Sequence, residues 1–378
     1  MQFINLDANA SVPPLSKAKE ALIKALENQG NASSPHILGR RLRYQLDQAR
    51  FSVATALGGF EKQVFFNSGA SEGNRWLVDA LVLADLFDGK KAKVVASVLE
   101  HPSLMHPLEQ AFAEGKINLS FINVNQSGAL LFDQTLLAEA DAVFLTAAHN
   151  ETGVVADWPE LLKCISAKTI LISDATQAFA RLSPMSERVD AIVVSAHKMG
   201  GVVGVGAVLL RGNARKLNAP WTGGSQESGL RPGSEAMPLI CAFGAAAKEI
   251  MQTRQEHMAL SAMRDKIEKI LLAAWPFARI LGADCQRLAN TSAIVLRGVD
   301  GEALRIAIDT SGVCVGFGSA CSALAPVPSK ALLAMGLTTA EARATIRISL
   351  SIYTTEAEIK TALAKLIPIG QKLAGCSI

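Results

Sequence analysis

Apolar residues along this chain switch between two spacings. Leu15, Ala18, Leu22 and Leu26 recur at the helical period and stop at Gly30. From about Arg41, Leu42, Leu46, Ala49 and Val53 repeat that pattern and stop at Gly58-Gly59. Short continuous apolar runs follow at 64–66, 94–96, 119–122, 143–145, 170–172 and 192–194, with helical patterns at 77–87, 104–112 and 160–165 between most of them. A strand with no polar register is buried on both sides, so this alternation predicts a mostly parallel sheet covered by helices on both faces. The run 202–210 adds a further strand, too close behind its predecessor for a helical crossover.

From 238 to 274 the pattern is helical with little interruption, and such a segment can leave one domain and enter another. Beyond it the alternation resumes, with a strand near 293–296, a helix at 302–309 and a short strand at 313–315. A helix near 330–335, a strand at 345–350 and a last helix from Glu356 complete the chain. The expected fold class is α/β: a large domain over 15–250 with the mostly parallel sheet, and a smaller C-terminal α/β domain made of 1–14 and 251–378.

Composition narrows the functions. With 378 residues, 49% of them apolar, the chain can bury a substantial core. A net charge of +3 supplies no overall field for nucleic acid, and two Tyr make a poor stacking surface. The basic cluster Gly39-Arg40-Arg41-Leu42-Arg43 reads as a solvated helix face. Six cysteines (Cys164, Cys241, Cys285, Cys314, Cys321 and Cys376) are widely spaced, with no C-x-x-C pair. No zinc site or disulfide framework is expected from them, and a reducing, cytoplasmic setting is. The N-terminus carries no signal-peptide pattern. The longest uncharged stretch, 310–329, is broken by Gly312, Gly316, Gly318, Pro326 and Pro328, which suits a loop rather than a membrane span.

In an open parallel sheet, ligands bind beyond the carboxyl ends of the strands. Here polar, turn-forming clusters follow one strand after another: Asn67-Ser68-Gly69-Ala70-Ser71-Glu72, Glu100-His101-Pro102-Ser103, His149-Asn150-Glu151-Thr152-Gly153, Asp174-Ala175-Thr176-Gln177 and Ser195-Ala196-His197-Lys198. Singly, each has an ordinary explanation. Ser68 or Ser71 could cap a helix, or the small-residue turn could offer its N–H groups to a phosphate. Asp174 could cap a helix or meet a buried cation. His101 could be a structural histidine, and Lys198 one lysine among many. Five such clusters at one end of one sheet would converge on a single crevice.

Taken in order, these residues resemble the cysteine desulfurase family, class V aminotransferase-like pyridoxal-phosphate enzymes of fold type I. Leu6-Asp7-Ala8-Asn9-Ala10-Ser11 resembles the family's N-terminal strand and turn, and Gly30-Asn31-Ala32-Ser33-Ser34-Pro35-His36 its G-N-P-S-S-x-H segment. Ser68-Gly69-Ala70-Ser71-Glu72 resembles S-G-A-T-E, Asn150-Glu151-Thr152-Gly153 resembles N-E-x-G, and Ser195-Ala196-His197-Lys198 resembles S-x-H-K. Glu100-His101, Asp174-Ala175-Thr176-Gln177 and Gly318-Ser319-Ala320-Cys321 match E-H, D-A-T-Q and G-S-A-C. Gly223-Gly224-Ser225-Gln226-Glu227 with Arg231-Pro232-Gly233-Ser234, and Ile346-Arg347-Ile348-Ser349-Leu350, resemble two further motifs.

The resemblance implies pyridoxal 5'-phosphate as cofactor, carried as a Schiff base on Lys198. Asp174 would face the pyridine nitrogen, Gln177 the ring hydroxyl, and His101 would stack over the ring and assist proton transfer. Ala70, Ser71, Ser195 and His197 would hold the phosphate, with Ser234 reaching over from a second subunit, which makes the expected protein a homodimer. Arg347, helped by Asn150, would grip the carboxylate of L-cysteine, as a guanidinium fork allows. Cys321 would take the sulfur as a persulfide for transfer to a protein acceptor, an iron–sulfur scaffold or a thiolation carrier. Cys314, in a Val-Cys-Val run, is expected to be buried. No metal, membrane or direct nucleic-acid contact is implied.

Some positions depart from the family. Ser11-Val12 stands for two Thr, Ala32 for Pro, Ser351-Ile352 for Gly-Arg, and the C-terminal tail is shorter; Ser71 and Ser234 replace Thr but keep a hydroxyl. A transaminase or selenocysteine lyase of the same fold is the competing enzyme, and would not need Cys321. A non-catalytic regulatory homologue is the remaining alternative, against which the joint presence of Lys198, Asp174, His101 and Cys321 weighs.

Overall fold

The computed structural model describes residues 3–84, 89–318 and 327–375, so Cys321 and Cys376 lie outside the described residues. The chain opens with the two-residue strand β1 (Ile4–Asn5) and helices α1 (Ser16–Leu26) and α2 (Ile37–Leu57). The stretch that follows carries β2 (Val64–Asn67), α3 (Ala70–Leu83), β3 (Ala92–Ser97), α4 (Pro102–Ala113), β4 (Ile117–Val124) and the short β5 (Leu130–Leu131). After these come α5 (Gln134–Ala138), β6 (Ala142–Phe144), α6 (Trp158–Cys164), β7 (Ile170–Asp174), β8 (Ala191–Ser195) and β9 (Gly206–Leu210). Strands β2 to β9 form one sheet in the order β2-β9-β8-β7-β6-β3-β4-β5.

Pairs β3–β4, β3–β6, β6–β7 and β7–β8 are parallel. Strand β9 runs antiparallel to both β8 and β2, so β2 points the same way as the parallel strands. Adjacent residues of several strands enter different cores. Phe66, Val143, Leu171 and Ile192 pack on the face covered by α1, α2 and the long helix described next, whereas Phe65, Phe144, Ile172 and Val193 pack on the face of α3 and α4. Both registers are apolar for that reason.

Helix α7 (Met237–Ala274) packs along α1 and α2 and then reaches a second sheet, ordered β10-β11-β14-β13 and antiparallel throughout. Its strands are β10 (Ala278–Leu281), β11 (Thr291–Leu296), β13 (Gly316–Phe317) and β14 (Thr345–Ser349). Helices α8 (Gly301–Thr310), α9 (Lys330–Ala334), α10 (Thr339–Arg343) and α11 (Glu356–Gly375) complete this part. Strand β12 (Val313–Cys314) instead pairs in parallel with β1.

Four expectations need correction. The strand placed at 313–315 is the shorter β12, and β13 follows it directly in a different sheet. Cys314 is exposed, not buried: Val313 turns into the core with Ile4 and Val315, so alternation points Cys314 the other way. Helix α1 buries Ala25, while Leu26 is 66% exposed. Helix α2 also starts earlier than expected, at Ile37, with the His36 ring accepting from the Gly39 amide at 3.3 Å. Its arginines Arg40, Arg41 and Arg43 lie on the solvated face, as expected.

Candidate active site

Six strands of the large sheet point the same way, and the clusters at their carboxyl ends meet around a cavity of about 470 Å³. Ala70, Ser71, His101, Asn150 and Asp174 reach it, as do Gln177, Ser195, His197, Lys198 and Arg347. Asn9 and Ala10, from the turn after β1, close one side.

One end of the cavity is the start of α3. Gly69 precedes the helix at φ 148°, a conformation that favours glycine, and no side chain caps the helix. Ser68 and Ser71 are therefore not caps; the Ser68 N–H donates instead to Glu72 Oε2 at 2.8 Å. The first-turn amides of this fourteen-residue helix have no intrahelical acceptor and carry its partial positive charge. Ser195 Oγ lies 2.9 Å from His197 Nδ1 at the same end. Uncapped amides, a hydroxyl and an imidazole make a cradle of the right chemistry for a phosphate.

The other end is acidic. Asp174, the last residue of β7, accepts from Asn74 Nδ2 at 2.8 Å and from the Thr176 N–H at 2.9 Å, so both its oxygens are oriented. His101 Nδ1 accepts from the Ser103 N–H at 3.1 Å, which places the neutral ring's proton on Nε2. Burial holds this imidazole below its usual pKa, against the pull of Asp174 and with the push of Lys198 and His106. Gln177 is held at both ends: Nε2 donates to the Asn9 carbonyl at 3.0 Å, and Oε1 accepts from Arg181 at 2.5 Å. Its second amide N–H is left for a ligand.

Lys198 extends between these ends. Its Nζ donates to the carbonyls of Asn9 at 2.8 Å and Ala10 at 2.7 Å. Burial, then the Arg347 and Arg181 guanidinium groups, lower its pKa to about 8, although Asp7 and Asp174 pull the other way. Burial and Lys198 likewise push His197 down to about 4. Arg347, on β14, donates to Asp7 Oδ1 at 2.6 Å and to the Asn150 carbonyl at 3.0 Å, while its Nε is buried without a partner. Gly316 leaves room for it: a Cβ there would stand 2.7 Å from Nε.

Two predicted residues are not in this cavity. Ser234 is exposed, and Cys321 lies outside the described residues. The residues flanking that stretch, Gly318 and Ser329, line an adjoining cavity of about 600 Å³ that shares His101 and Asn150 with the first. Sequence reasoning missed Asn9, whose carbonyl holds both Lys198 and Gln177, and Arg181 and Asn74, which orient Gln177 and Asp174. Asn74 had a signal: it is a polar residue on the buried face of a helix otherwise lined by Trp76, Leu77 and Leu81. Among the described residues no group of His, Cys, Asp and Glu could hold a metal, and no helix is long and apolar enough to cross a membrane.

The class V aminotransferase family profile matches residues 4–361. A cysteine desulfurase of Nostoc sp. is 32% identical, covering 100% of this chain and 95% of that protein. The cysteine desulfurase NifS of Azotobacter vinelandii is 30% identical with the same coverage. Among solved structures, a NifS-like protein from Rickettsia africae superposes with a TM-score of 0.85 at 28% identity, over 98% of this chain and 100% of that one. A structure described as SspA in complex with cysteine gives 0.77 at 25% identity, over 93% and 99%. Fold, cavity and full-length similarity agree: the chain belongs to the class V aminotransferase family, among its cysteine desulfurases.

Proposed function

We propose that the protein removes sulfur from L-cysteine using pyridoxal 5'-phosphate held on Lys198, yielding L-alanine and a persulfide on Cys321. The observation that carries this reading is the position of Lys198, a half-buried amine easily made neutral, between an uncapped helix N-terminus and the oriented carboxylate of Asp174. When bound, the cofactor supplies an electron sink beside the reacting carbon.

The chain's own groups do the rest. The amides at Ala70 and Ser71, with Ser195 and His197, would hold the phosphate. Asp174 would face the ring nitrogen, Gln177 would donate to the ring hydroxyl, and His101 would cover the ring face. Arg347 and Asn150 take the substrate carboxylate, and Lys198 Nζ, as a free base, accepts the α-proton. Cys321, as thiolate, attacks the substrate sulfur: an S–S bond forms, the C–S bond breaks, and the carbon keeps the electron pair and is then protonated.

We also take the protein to be a homodimer in which Ser234 completes the partner's phosphate site. Exposed Ile37, Tyr44 and Phe51, seven residues apart on α2, support a covering subunit. Buried Glu227, bound by Arg50 at 2.6 and 2.7 Å and by the Phe66 N–H at 2.8 Å, anchors the segment that carries Ser234 outward. A protein acceptor for the sulfur and a reducing, cytoplasmic setting complete the reading; the four described cysteines are free thiols, in keeping with it. We divide the chain into a large domain, 15–250, and a small one, 1–14 with 251–378, so that α7 crosses the boundary.

The test supplies L-cysteine to the wild type and to Cys321→Ala and measures alanine and sulfide. The variant should keep its cofactor absorption and lose alanine production. Unchanged turnover would point to a transaminase or lyase instead.

A further inference from the structure

The motif residue Glu151 has no part in the chemistry above, yet its carboxyl group is buried in the cavity next to the active site. Its Oε1 accepts from Ser329 Oγ at 2.8 Å, and its Oε2 has no partner. Ser329 is bound three ways. Besides that bond, its N–H donates to the Gly318 carbonyl at 2.8 Å, and its Oγ accepts from the Leu332 N–H at 3.2 Å as the cap of α9. Gly318 is equally fixed: its N–H donates to the Thr345 carbonyl at 3.2 Å, and a Cβ there would come within 2.6 Å of the Ala342 carbonyl and of Leu332. Gly318 and Ser329 are the described residues bonded to each other across the stretch that contains Cys321, which is three positions beyond Gly318. At its other end, Glu151 follows Asn150, whose carbonyl holds Arg347 at 3.0 Å. One side chain thus ties the substrate-gripping arginine's support to a described residue just beyond the stretch that contains Cys321.

We propose that Glu151 is a positioning residue for sulfur transfer: by holding Ser329, and through it Gly318, it sets where the chain on either side of Cys321 begins. A thiolate must meet the substrate sulfur in line, and an error of an ångström in its starting point is felt in the transfer rate rather than in substrate binding. The inference rests on Cys321 being the nucleophile.

The experiment uses the holoenzyme in single turnover with L-cysteine, following cofactor absorption, alanine release and alkylation of the Cys321 persulfide. Glu151→Ala and Ser329→Ala should each slow persulfide and alanine formation about tenfold, the loss of one buried hydrogen bond. Cofactor content and KM should stay within about twofold of wild type, since neither residue holds cofactor or substrate. The double variant should be no slower than Ser329→Ala alone, because that change already breaks the link to Glu151. Glu151→Gln, whose carboxamide oxygen can still accept from Ser329, should recover most of the rate. Independent, multiplying losses, or a loss seen in KM or cofactor content, would overturn the proposal. So would full activity of both alanine variants while Cys321→Ala is inactive. Alanine production by Cys321→Ala would instead remove the reading underneath it.

Discussion

A lysine that must react with an aldehyde has to shed a proton first, and the surroundings of Lys198 determine how readily it does. An ordinary lysine at pKa 10.5 is neutral in about one molecule in a thousand at pH 7.5. Lowered to about 8 by burial, Arg347 and Arg181, Lys198 is neutral in roughly a quarter, a gain of some two hundredfold in reactive amine. The drop corresponds to roughly 3 kcal/mol favouring the free base. Cofactor-free protein should be labelled with an amine-reactive reagent at a series of pH values, and the Lys198 peptide quantified by mass spectrometry against exposed lysines such as Lys17. The labelling rate of Lys198 should rise with a midpoint near pH 8. Arg347→Gln removes the larger of the two cationic contributions and should move that midpoint upward. A midpoint near 10.5, or one unmoved by the substitution, would falsify the electrostatic account of how this amine is prepared.

Three further outcomes follow from the geometry. Gly316→Ala places a methyl group 2.7 Å from Arg347 Nε, so KM for L-cysteine should rise about tenfold or more while cofactor absorption is retained; an unchanged KM would separate Arg347 from substrate binding. Gly153 has φ 74° and faces Thr291, whose Cβ a new methyl would approach to 2.8 Å, so Gly153→Ala should destabilise the fold by about 2 kcal/mol or more in denaturant titrations. Burial lowers His257 from 6.5 to about 4, so between those values the unfolded chain binds a proton that the folded one does not. Stability is therefore full above pH 6.5 and lost as pH falls toward 4. His257→Gln should flatten that loss by about 2–3 kcal/mol, as measured by unfolding at pH 7 and pH 4.5; an identical slope would assign the acid sensitivity elsewhere.

Much of this was legible because the large sheet is buried on both sides. Val143 and Phe144, or Ile192 and Val193, face opposite cores, so each strand stands out as an apolar run, and the polar residues after it mark its carboxyl end. Where burial is one-sided or the element short, the signal fades. Ile37 and Leu38 are exposed, so the amphipathic pattern of α2 becomes visible only from Arg41 onward. Strands β12 and β13 are two residues each, and nothing local says that Val313 pairs with Ile4 while Phe317 pairs with Ile346. Strand β10, which has a half-buried run of Ala278, Arg279 and Ile280, lacks the alternation that would have revealed it. The side chains that line the cavity were legible from their clusters; the residues that orient them were not. Asn9 acts through its backbone carbonyl, and a carbonyl has no signature in a side-chain pattern.

The use of Asn9 also bears on how the protein comes into being during synthesis. Its N–H donates to Ser349 Oγ at 2.9 Å, and the Ser349 N–H donates to the Leu6 carbonyl at 2.7 Å. The wall that steadies Lys198 is thus stitched between residues 6–9 and residue 349, which are translated far apart. A ribosome can finish the whole large sheet, lysine included, while the opening segment still lacks its partners at Val313, Cys314 and Ser349. Competence to retain a cofactor should therefore arrive late and abruptly, when residue 349 clears the exit tunnel, and not build up as the polypeptide lengthens.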